Sequence, residues 1–314
     1  MQTSLENSRK LNIGIIGSTG FLGRSLTRYL SKKYSVHIYS RREPIDFFQN
    51  IESWTIGQLH DEKTLHGFLE RIDILIHLGQ SGKPMESNNN FVYETEANLI
   101  PSLQLIEVLK KVQNPIHILF ASSGGTVYQE KPHHLHIESD PTEPLTSYGI
   151  NKLSLEYYFD LLTKISHHSC FTLRIANPYG ELLSSGRNQG FIGVSLSRIL
   201  EGKEIQIFDD ENIVRDYIHL EDMAYAFEKG IFYRKSGYSV FNIGTGVGTS
   251  LKEILDLMEK FFGKSIPRTL VKKDSRIKLP KWNVLNIAKA KKELDWYPEI
   301  DLETGLKNLV DSIL

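Results

Sequence analysis

"IGIIGSTGFLGRSL" (Ile13–Leu26) decides the fold. An apolar run ends at Gly17, and Gly20 and Gly23 follow as an amphipathic segment begins. A tight strand-to-helix turn favours glycine, as does a backbone that must approach a pyrophosphate and a helix packed closely on a sheet. In this strand–turn–helix context the stretch predicts a dinucleotide-binding turn. Its candidate cofactor-binding residues are Gly17, Ser18, Thr19, Gly20, Phe21, Leu22 and Gly23.

Outward from this turn, short apolar runs alternate with longer amphipathic segments, the pattern of a parallel sheet with crossover helices. The fold prediction is α/β: a Rossmann-type doubly wound parallel sheet with a smaller mixed α/β substrate-binding lobe. Predicted strands lie at Asn12–Ile16, Ser35–Ser40, Ile72–Leu78, Ile116–Ala121 and Phe171–Ile175, and predicted helices include Leu99–Lys111 and Tyr148–Ser166. The predicted dinucleotide-binding domain is 1–176 with a return over about 213–243, and the lobe is 177–212 and 244–314.

The second predicted strand ends in "SRR", Ser40 to Arg42, where NAD-binding folds usually hold an acid against the ribose hydroxyls. A carboxylate there would repel the additional phosphate of NADP, whereas a small hydroxyl and two guanidinium groups would attract it. NADP(H) is therefore the favoured cofactor and NAD(H) the alternative.

Tyr148 and Lys152 stand four residues apart in "SYGINKLSLEYYFDLL", so a helix places them on one face. A phenol is a poor acid or base at neutral pH, but a neighbouring ammonium stabilises its phenolate and lowers its pKa. The pair predicts a proton-transferring tyrosine beside a hydride-carrying cofactor.

Four motifs now resemble the extended short-chain dehydrogenase/reductase family in its NAD(P)-dependent nucleotide-sugar epimerase/dehydratase branch. They are "GSTGFLG", "SSGGTVY" (Ser122–Tyr128), "SYGINK" (Ser147–Lys152) and "RIANPYG" (Arg174–Gly180), with "RDYIHLED" (Arg215–Asp222) farther on. The resemblance runs over essentially the whole chain and is strongest to enzymes called UDP-glucose 4-epimerases.

The resemblance implies a role for each matching residue. Tyr148 would exchange the proton, Lys152 would hold the nicotinamide ribose, and Arg215 would pair with the diphosphate of a sugar nucleotide. Further implied cofactor-binding residues are Gln58, Leu59, Leu78, Gly79, Gln80, Asn98, Ala121, Ser122, Ala176 and Pro178. The remaining implied substrate-binding residues are Gly124, Gly125, Thr126, Asn177 and Gln189.

One departure concerns the hydroxyl that many members have four positions before the tyrosine ending "SSGGTVY". Here that position is Gly124. Thr126 is the preferred substitute for the hydrogen bond to the sugar oxygen, and Ser123 is the other candidate.

The reaction remains open between two alternatives. A reductase consumes a hydride at each turnover, commonly from NADPH, so the arginine pair favours reduction of a 4-keto (or 4-keto-6-deoxy) nucleotide sugar. A 4-epimerase with bound NAD is nearly as well supported by the motifs. A 4,6-dehydratase is disfavoured because Gly125 and Thr126 replace its usual Asp-Glu pair, and a non-catalytic cofactor-binding protein is disfavoured because Tyr148 and Lys152 are present.

The composition of the chain limits the kinds of binding partner and the cellular compartment that we expect for it. In 314 residues, 37 basic and 38 acidic side chains leave a formal net charge of -1, which gives no field to attract nucleic acid or an anionic membrane. One cysteine, Cys170, in an apolar stretch, and an N-terminus without a signal-like apolar core lead us to expect a cytoplasmic enzyme. Members of the family commonly pair through two long helices, so a homodimer is expected. No metal site is predicted: His133, His134 and His136 are interpreted as part of a solvated loop.

Overall fold

The computed structural model describes residues 10–42, 48–79, 87–182, 190–233, 235–272 and 280–314. Two residues predicted for the site, Gln80 and Gln189, lie outside these ranges.

The strands within these ranges are β1 (Asn12–Ile16), β2 (Ser35–Ser40), β3 (Ser53–Ile56), β4 (Ile74–His77), β5 (His117–Ser123), β6 (Leu135–His136), β7 (Ser169–Ile175), β8 (Asn177–Tyr179), β9 (Ile205–Phe208), β10 (Val214–His219), β11 (Tyr238–Ile243), β12 (Gly248–Ser250), β13 (Arg268–Val271) and β14 (Trp282–Leu285).

The helices are α1 (Phe21–Leu30), α2 (Glu62–Leu69), α3 (Phe91–Glu94), α4 (Ile100–Leu109), α5 (Gly124–Val127), α6 (Ser147–Ile165), α7 (Phe191–Leu200), α8 (Leu220–Phe232), α9 (Leu251–Phe262), α10 (Ala288–Leu294) and α11 (Leu302–Asp311). A 3₁₀ turn at Ser87–Asn89 precedes α3, and a π-helical turn at Thr95–Leu99 joins α3 to α4.

Seven strands form one parallel sheet in the order β11-β7-β5-β4-β1-β2-β3. The chain runs outward from β1 through β2 to β3 and then returns to build the other half from β4. The order therefore reverses between β1 and β4, where ligands bind in doubly wound sheets. The predicted fold class is confirmed.

Alternation along the central strands divides the core between the two faces of this sheet. Ile13 and Ile15 of β1 pack with α1 and α8, whereas Ile16 packs on the opposite side with α2, α4 and α6. Both faces are covered, which accounts for apolar runs rather than strict alternation in the sequence of these strands.

Strand predictions are accurate for β1 and β2 and shift by up to two residues elsewhere. The predicted strand Ile72–Leu78 shortens to β4, and Ile116–Ala121 becomes β5, which extends to Ser123. This extension carries two serines to the carboxyl edge of the sheet.

A smaller mixed sheet has the order β12-β10-β14-β6, with β8 pairing with β10, and β13 pairs with β9 separately. A third apolar cluster joins α7, α9 and α11 around Leu196, Ile254 and Leu306. Within the predicted return over about 213–243, β10 joins the smaller sheet whereas β11 extends the large one. The domain division itself stays a prediction. Among the described residues, the helices are all too short or too polar to span a membrane.

Candidate active site

The glycine turn lies where the strand order reverses. Gly17 has a φ of 93°, and a Cβ on it would lie 2.7 Å from the backbone nitrogen of Gly79 and 2.8 Å from the carbonyl carbon of Leu78. A Cβ on Gly23 would lie 2.7 Å from the Cα of Ser18. These contacts require glycine, and they place the predicted cofactor residues Leu78 and Gly79 directly beside the turn.

At the start of α1 the N-cap residue is Gly20, so no side-chain hydrogen bond caps the first turn within the described residues. Thr19, Phe21 and Leu22 lie in this segment. The Ser18 hydroxyl is buried and has no hydrogen-bond partner among the described residues. Free backbone N–H groups at a helix N-terminus suit a pyrophosphate, so this region fits the phosphates of a dinucleotide.

The end of β2 is organised around Ser40. Its hydroxyl donates to the carbonyl oxygen of Arg42 at 2.8 Å and accepts from the indole nitrogen of Trp54 at 2.6 Å. Arg41 and Arg42 are exposed, and neither pairs with a carboxylate in the described part of the chain. Ser40 therefore shapes the turn, while the two guanidinium groups are available to an anion.

Next to this strand end, the carbonyl of Gln58 accepts a hydrogen bond from the Tyr39 hydroxyl at 2.9 Å. The Gln58 side chain is exposed, and Leu59 is half-buried against the core. Both residues lie just beyond β3, on the same edge as the arginine pair.

Tyr148 and Lys152 lie on α6, as their spacing predicts. The Lys152 ammonium nitrogen is 5.8 Å from the centre of the Tyr148 ring and donates to the carbonyl oxygen of Ala121 at 2.7 Å. Burial lowers the pKa of Lys152 to about 7, against the opposing charges of Glu156 and Glu94. The sequence predicts that the ammonium lowers the pKa of Tyr148, but burial instead raises it to about 12, with only a hydrogen bond with Ser123 opposing the rise.

Ser123, at the end of β5, is thus the hydroxyl that the structure brings to Tyr148. Thr126 lies one turn farther on in α5, and its hydroxyl is buried without a hydrogen-bond partner among the described residues. A Cβ on Gly125 would lie 3.7 Å from the Asn177 side-chain oxygen and 4.0 Å from the Ser123 hydroxyl. Gly125 therefore leaves room between these two polar side chains.

Gly124 has no side chain to offer a ligand, and its lack of a Cβ allows Leu285 to pack closely against it. A Cβ there would lie 2.5 Å from a methyl group of Leu285, and its carbonyl accepts from the Asn283 amide at 3.1 Å. A serine at this position would require the buried Leu285 side chain to shift, which gives a packing reason for the missing hydroxyl. Ala176 is buried and Pro178 half-buried just beyond β7, near Asn177.

Glu94 was missed by the sequence prediction. It is 3% exposed, and the Asn98 amide donates to its carboxylate at 2.8 Å and to its carbonyl at 3.1 Å. Its charge also acts on both Tyr148 and Lys152. The signal available was the Glu94–Asn98 spacing of four, which a helix, including the π-helical turn seen here, brings together.

A second missed group begins with Glu156, one further turn along the face of α6 that carries Tyr148 and Lys152. Its carboxylate accepts from the Ser122 hydroxyl at 2.5 Å and from two nitrogens of Arg174 at 2.7 to 3.1 Å. Arg174 also donates to the Tyr128 hydroxyl at 3.0 Å. The hydroxyl of the predicted cofactor residue Ser122 is therefore hydrogen-bonded to the carboxylate of a buried ion pair.

Arg215 lies on β10 and donates to two backbone carbonyls, those of Val214 at 2.7 Å and Pro280 at 2.6 Å. It forms no salt bridge with a carboxylate in the described ranges. On the same strand the buried carboxylate of Asp216 accepts from the backbone N–H and hydroxyl of Thr245 at 2.8 and 2.7 Å. Asp216 fixes the local backbone, and the Arg215 charge remains available to an anion.

Comparison with known proteins identifies relatives over most of the chain. Residues 13–244 match the family described as the NAD dependent epimerase/dehydratase family. A dTDP-4-dehydro-6-deoxyglucose reductase of Escherichia coli is 29% identical over 98% of this chain and 99% of its own. A putative UDP-glucose 4-epimerase of Methanocaldococcus jannaschii is 32% identical over 76% of each chain.

Among solved structures, the UDP-glucose 4-epimerase of Thermotoga maritima, determined with UDP-glucose, superposes with a TM-score of 0.85. It is 28% identical and the match covers 96% of this chain and 98% of that one. The family resemblance predicted from the motifs is confirmed.

Proposed function

The chain belongs to the NAD dependent epimerase/dehydratase family, and we propose that it reduces a 4-keto (or 4-keto-6-deoxy) nucleotide sugar with NADPH. The observation that carries this proposal is the meeting of Tyr148, Lys152 and Ser123 at the carboxyl edge of the sheet, beside the glycine turn. A nicotinamide dinucleotide supplies the hydride when bound. The chain's own residues supply the proton, the orientation and the charge that the carbonyl needs as it becomes an alkoxide.

Tyr148 is the proton donor in this mechanism. Its pKa of about 12 keeps the phenol protonated at neutral pH, ready to protonate an alkoxide, which is a much stronger base. Ser123 holds the phenolic oxygen, and Lys152 stabilises the phenolate that remains after transfer. Proton return from solvent then resets the phenol.

Thr126 and Asn177 orient the sugar, and Arg215 pairs with its diphosphate. The buried and unpartnered Thr126 hydroxyl supports the first role, since a polar atom in such a position is normally hydrogen-bonded. Arg215 supports the second, because its guanidinium fork contacts only backbone carbonyls among the described residues. Gln189, outside the described residues, is proposed on the resemblance alone.

The NADPH preference rests on Arg41 and Arg42. Both are exposed at the end of β2 with no acid in the usual ribose-binding position. We expect Arg41→Ala to raise the KM for NADPH about tenfold, as loss of a hydrogen bond to a charged group costs about 1.5 kcal/mol or more. The KM for NADH should change little, which makes NADH the internal control.

The 4-epimerase activity with bound NAD is the second candidate. It is favoured by the Methanocaldococcus jannaschii relative and by the Thermotoga maritima structure, both of which carry that name. Gly124 weighs against it only as a departure from a common motif, because Ser123 occupies the position beside Tyr148.

One assay separates these activities. The protein is incubated with NADPH and a dTDP- or UDP-linked 4-keto-6-deoxyhexose, and the absorbance at 340 nm is followed while the sugar is analysed by NMR. Stoichiometric loss of NADPH with formation of a 4-hydroxy sugar is expected. Conversion of UDP-glucose without net change at 340 nm would instead establish the epimerase, and binding of cofactor without turnover of either sugar would refute both.

We also propose a homodimer formed through α4 and α6. Apolar side chains on these helices remain exposed, including Ile100 (43%), Tyr157 (64%), Leu161 (50%) and Ile165 (60%). An apolar surface of this kind favours association. Leu161→Glu should convert the dimer to a monomer in light scattering after gel filtration, whereas Lys292→Glu, an exposed position on α10 outside both helices, should not. A wild-type protein that is monomeric at tens of micromolar would contradict the proposal.

A further inference from the structure

A group of three side chains outside the catalytic cleft has the composition of a metal site. His134, His136 and Asp140, here called the His–Asp cluster, lie just before β6, on it and in the turn after it, with their ligand atoms within 4.8 Å of one another. The histidine-rich segment was expected to be a solvated loop. That expectation is wrong for His136, which is 1% exposed.

The spacing of the cluster suits tetrahedral coordination. The Asp140 Oδ2 atom lies 2.6 Å from His134 Nε2 and 3.7 Å from His136 Nδ1. Two ligand atoms about 2.0 Å from a tetrahedral zinc ion are about 3.3 Å apart, between these two distances. His134 is only half-buried, so its ring has room to turn toward a shared ion.

His136 gives an independent indication of a missing partner. Neither of its ring nitrogens has a hydrogen-bond partner among the described residues, although the ring is buried and stacks on Tyr128 at 4.9 Å. Burying a polar group without a partner is unfavourable. A cation between His136 and Asp140 would provide a partner for Nδ1.

Asp140 is already oriented for this role. The backbone N–H of Ile137 donates to Oδ2 at 3.0 Å, and Lys131 contacts the other oxygen, Oδ1, at 3.0 Å. Such supporting contacts fix the direction of a ligating carboxylate. Oδ2 therefore points at both histidines while Oδ1 is held by the lysine.

We propose that the His–Asp cluster binds a divalent transition-metal cation, with His134 Nε2, His136 Nδ1 and Asp140 Oδ2 as protein ligands. Two imidazoles and one carboxylate suit Zn²⁺ better than Mg²⁺ or Ca²⁺, which take oxygen ligands, and a water would complete the coordination. Trp282 donates to the His134 carbonyl at 2.8 Å and Asn242 to that of His136 at 2.7 Å, so the cation would fix the segment that ties β6 to both sheets.

The test is Zn²⁺ binding to untagged full-length protein, measured by isothermal titration calorimetry, and Co²⁺ absorption spectroscopy. One Zn²⁺ per chain is expected, together with visible Co²⁺ bands typical of tetrahedral coordination. His134→Gln, at a half-exposed position where folding should be kept, should weaken Zn²⁺ binding at least tenfold, since loss of even a supporting partner of a ligand costs 10- to 100-fold. Asp140→Asn should weaken it similarly.

His167→Gln is the matched control, because His167 is an exposed histidine next to another histidine but outside the cluster. Its Zn²⁺ affinity should equal that of the wild type. The proposal would be overturned if the wild type bound no Zn²⁺, or if folded His134→Gln protein bound Zn²⁺ as tightly and gave the same Co²⁺ spectrum. Neither result would bear on the proposed reductase activity, which does not depend on this site.

Discussion

Two neighbouring turns of helix α6 bury charge in opposite ways. Lys152 donates to a single backbone carbonyl, and burial lowers its pKa to about 7. Glu156, one turn later, is fully engaged by the Arg174 fork and the Ser122 hydroxyl. The Lys152 amine therefore keeps hydrogen-bonding capacity for a bound ligand. The Glu156 carboxylate has already used its hydrogen-bonding capacity within the protein. The candidate site thus contains an incompletely paired buried group, Lys152, whereas the neighbouring Glu156–Arg174 pair is complete and stabilises the fold.

The largest expected effect is on catalysis, at Tyr148 beside the incompletely paired Lys152. Tyr148→Phe removes the proton donor but keeps the ring, so kcat should fall about 10²- to 10⁴-fold while the affinity for NADPH changes little. Steady-state rates at 340 nm and NADPH fluorescence titration measure the two quantities.

Tyr157→Phe is the control for this substitution, since Tyr157 lies exposed on the same helix. It should retain wild-type activity. Wild-type turnover in Tyr148→Phe would contradict the assignment of Tyr148 as the proton donor.

Breaking the fully paired region should instead affect folding. Glu156→Gln leaves the Arg174 guanidinium buried without its counter-charge, which typically costs about 3–5 kcal/mol of unfolding free energy. Urea denaturation followed by circular dichroism measures this loss.

Asp311→Asn is the control, because Asp311 pairs with Lys307 at 2.6 Å at an exposed position on α11. Its removal should cost about 0–1 kcal/mol. Equal losses of unfolding free energy in the two variants would mean that burial does not make the Glu156–Arg174 pair more important for stability than an exposed pair.

The smallest effect concerns the protonation of Lys152. Burial lowers the pKa of Lys152 to about 7, so the free protein carries a mixture of ammonium and neutral amine near neutral pH. An anionic dinucleotide favours the ammonium, so its binding should take up a fraction of a proton near neutral pH, and its affinity should fall as the pH rises through the pKa of Lys152.

Calorimetry of NADPH binding in buffers with different ionisation enthalpies measures this uptake. Lys152→Met should bind NADPH with no uptake near pH 7. Uptake of the same size in this variant would assign the titration to another group.

Much of the site follows from local sequence. Gly17, Gly20 and Gly23 predict the turn because a strand followed by a helix constrains the backbone within a few residues. Tyr148 and Lys152 were placed together because four residues make one helical turn. The same argument extended by one turn would have found Glu156.

Other features were decided by contacts between distant segments. Arg174 meets Glu156 only because β7 and α6 pack together, and Ser123 reaches Tyr148 only because β5 continues two residues beyond its predicted end. Likewise His136 is buried by Tyr128 and β14 rather than by its own loop.

The amino-acid sequence by itself determined the parallel α/β fold, the phosphate-binding turn and the Tyr148–Lys152 pair, because each depends on spacing along one strand or helix. Only the tertiary structure decided which buried charged groups have all their hydrogen-bond partners within the protein, as Glu156 has, and which do not, as in Lys152. Desolvation and pairing depend on every side chain within a few ångströms, and most of those neighbours come from other parts of the chain.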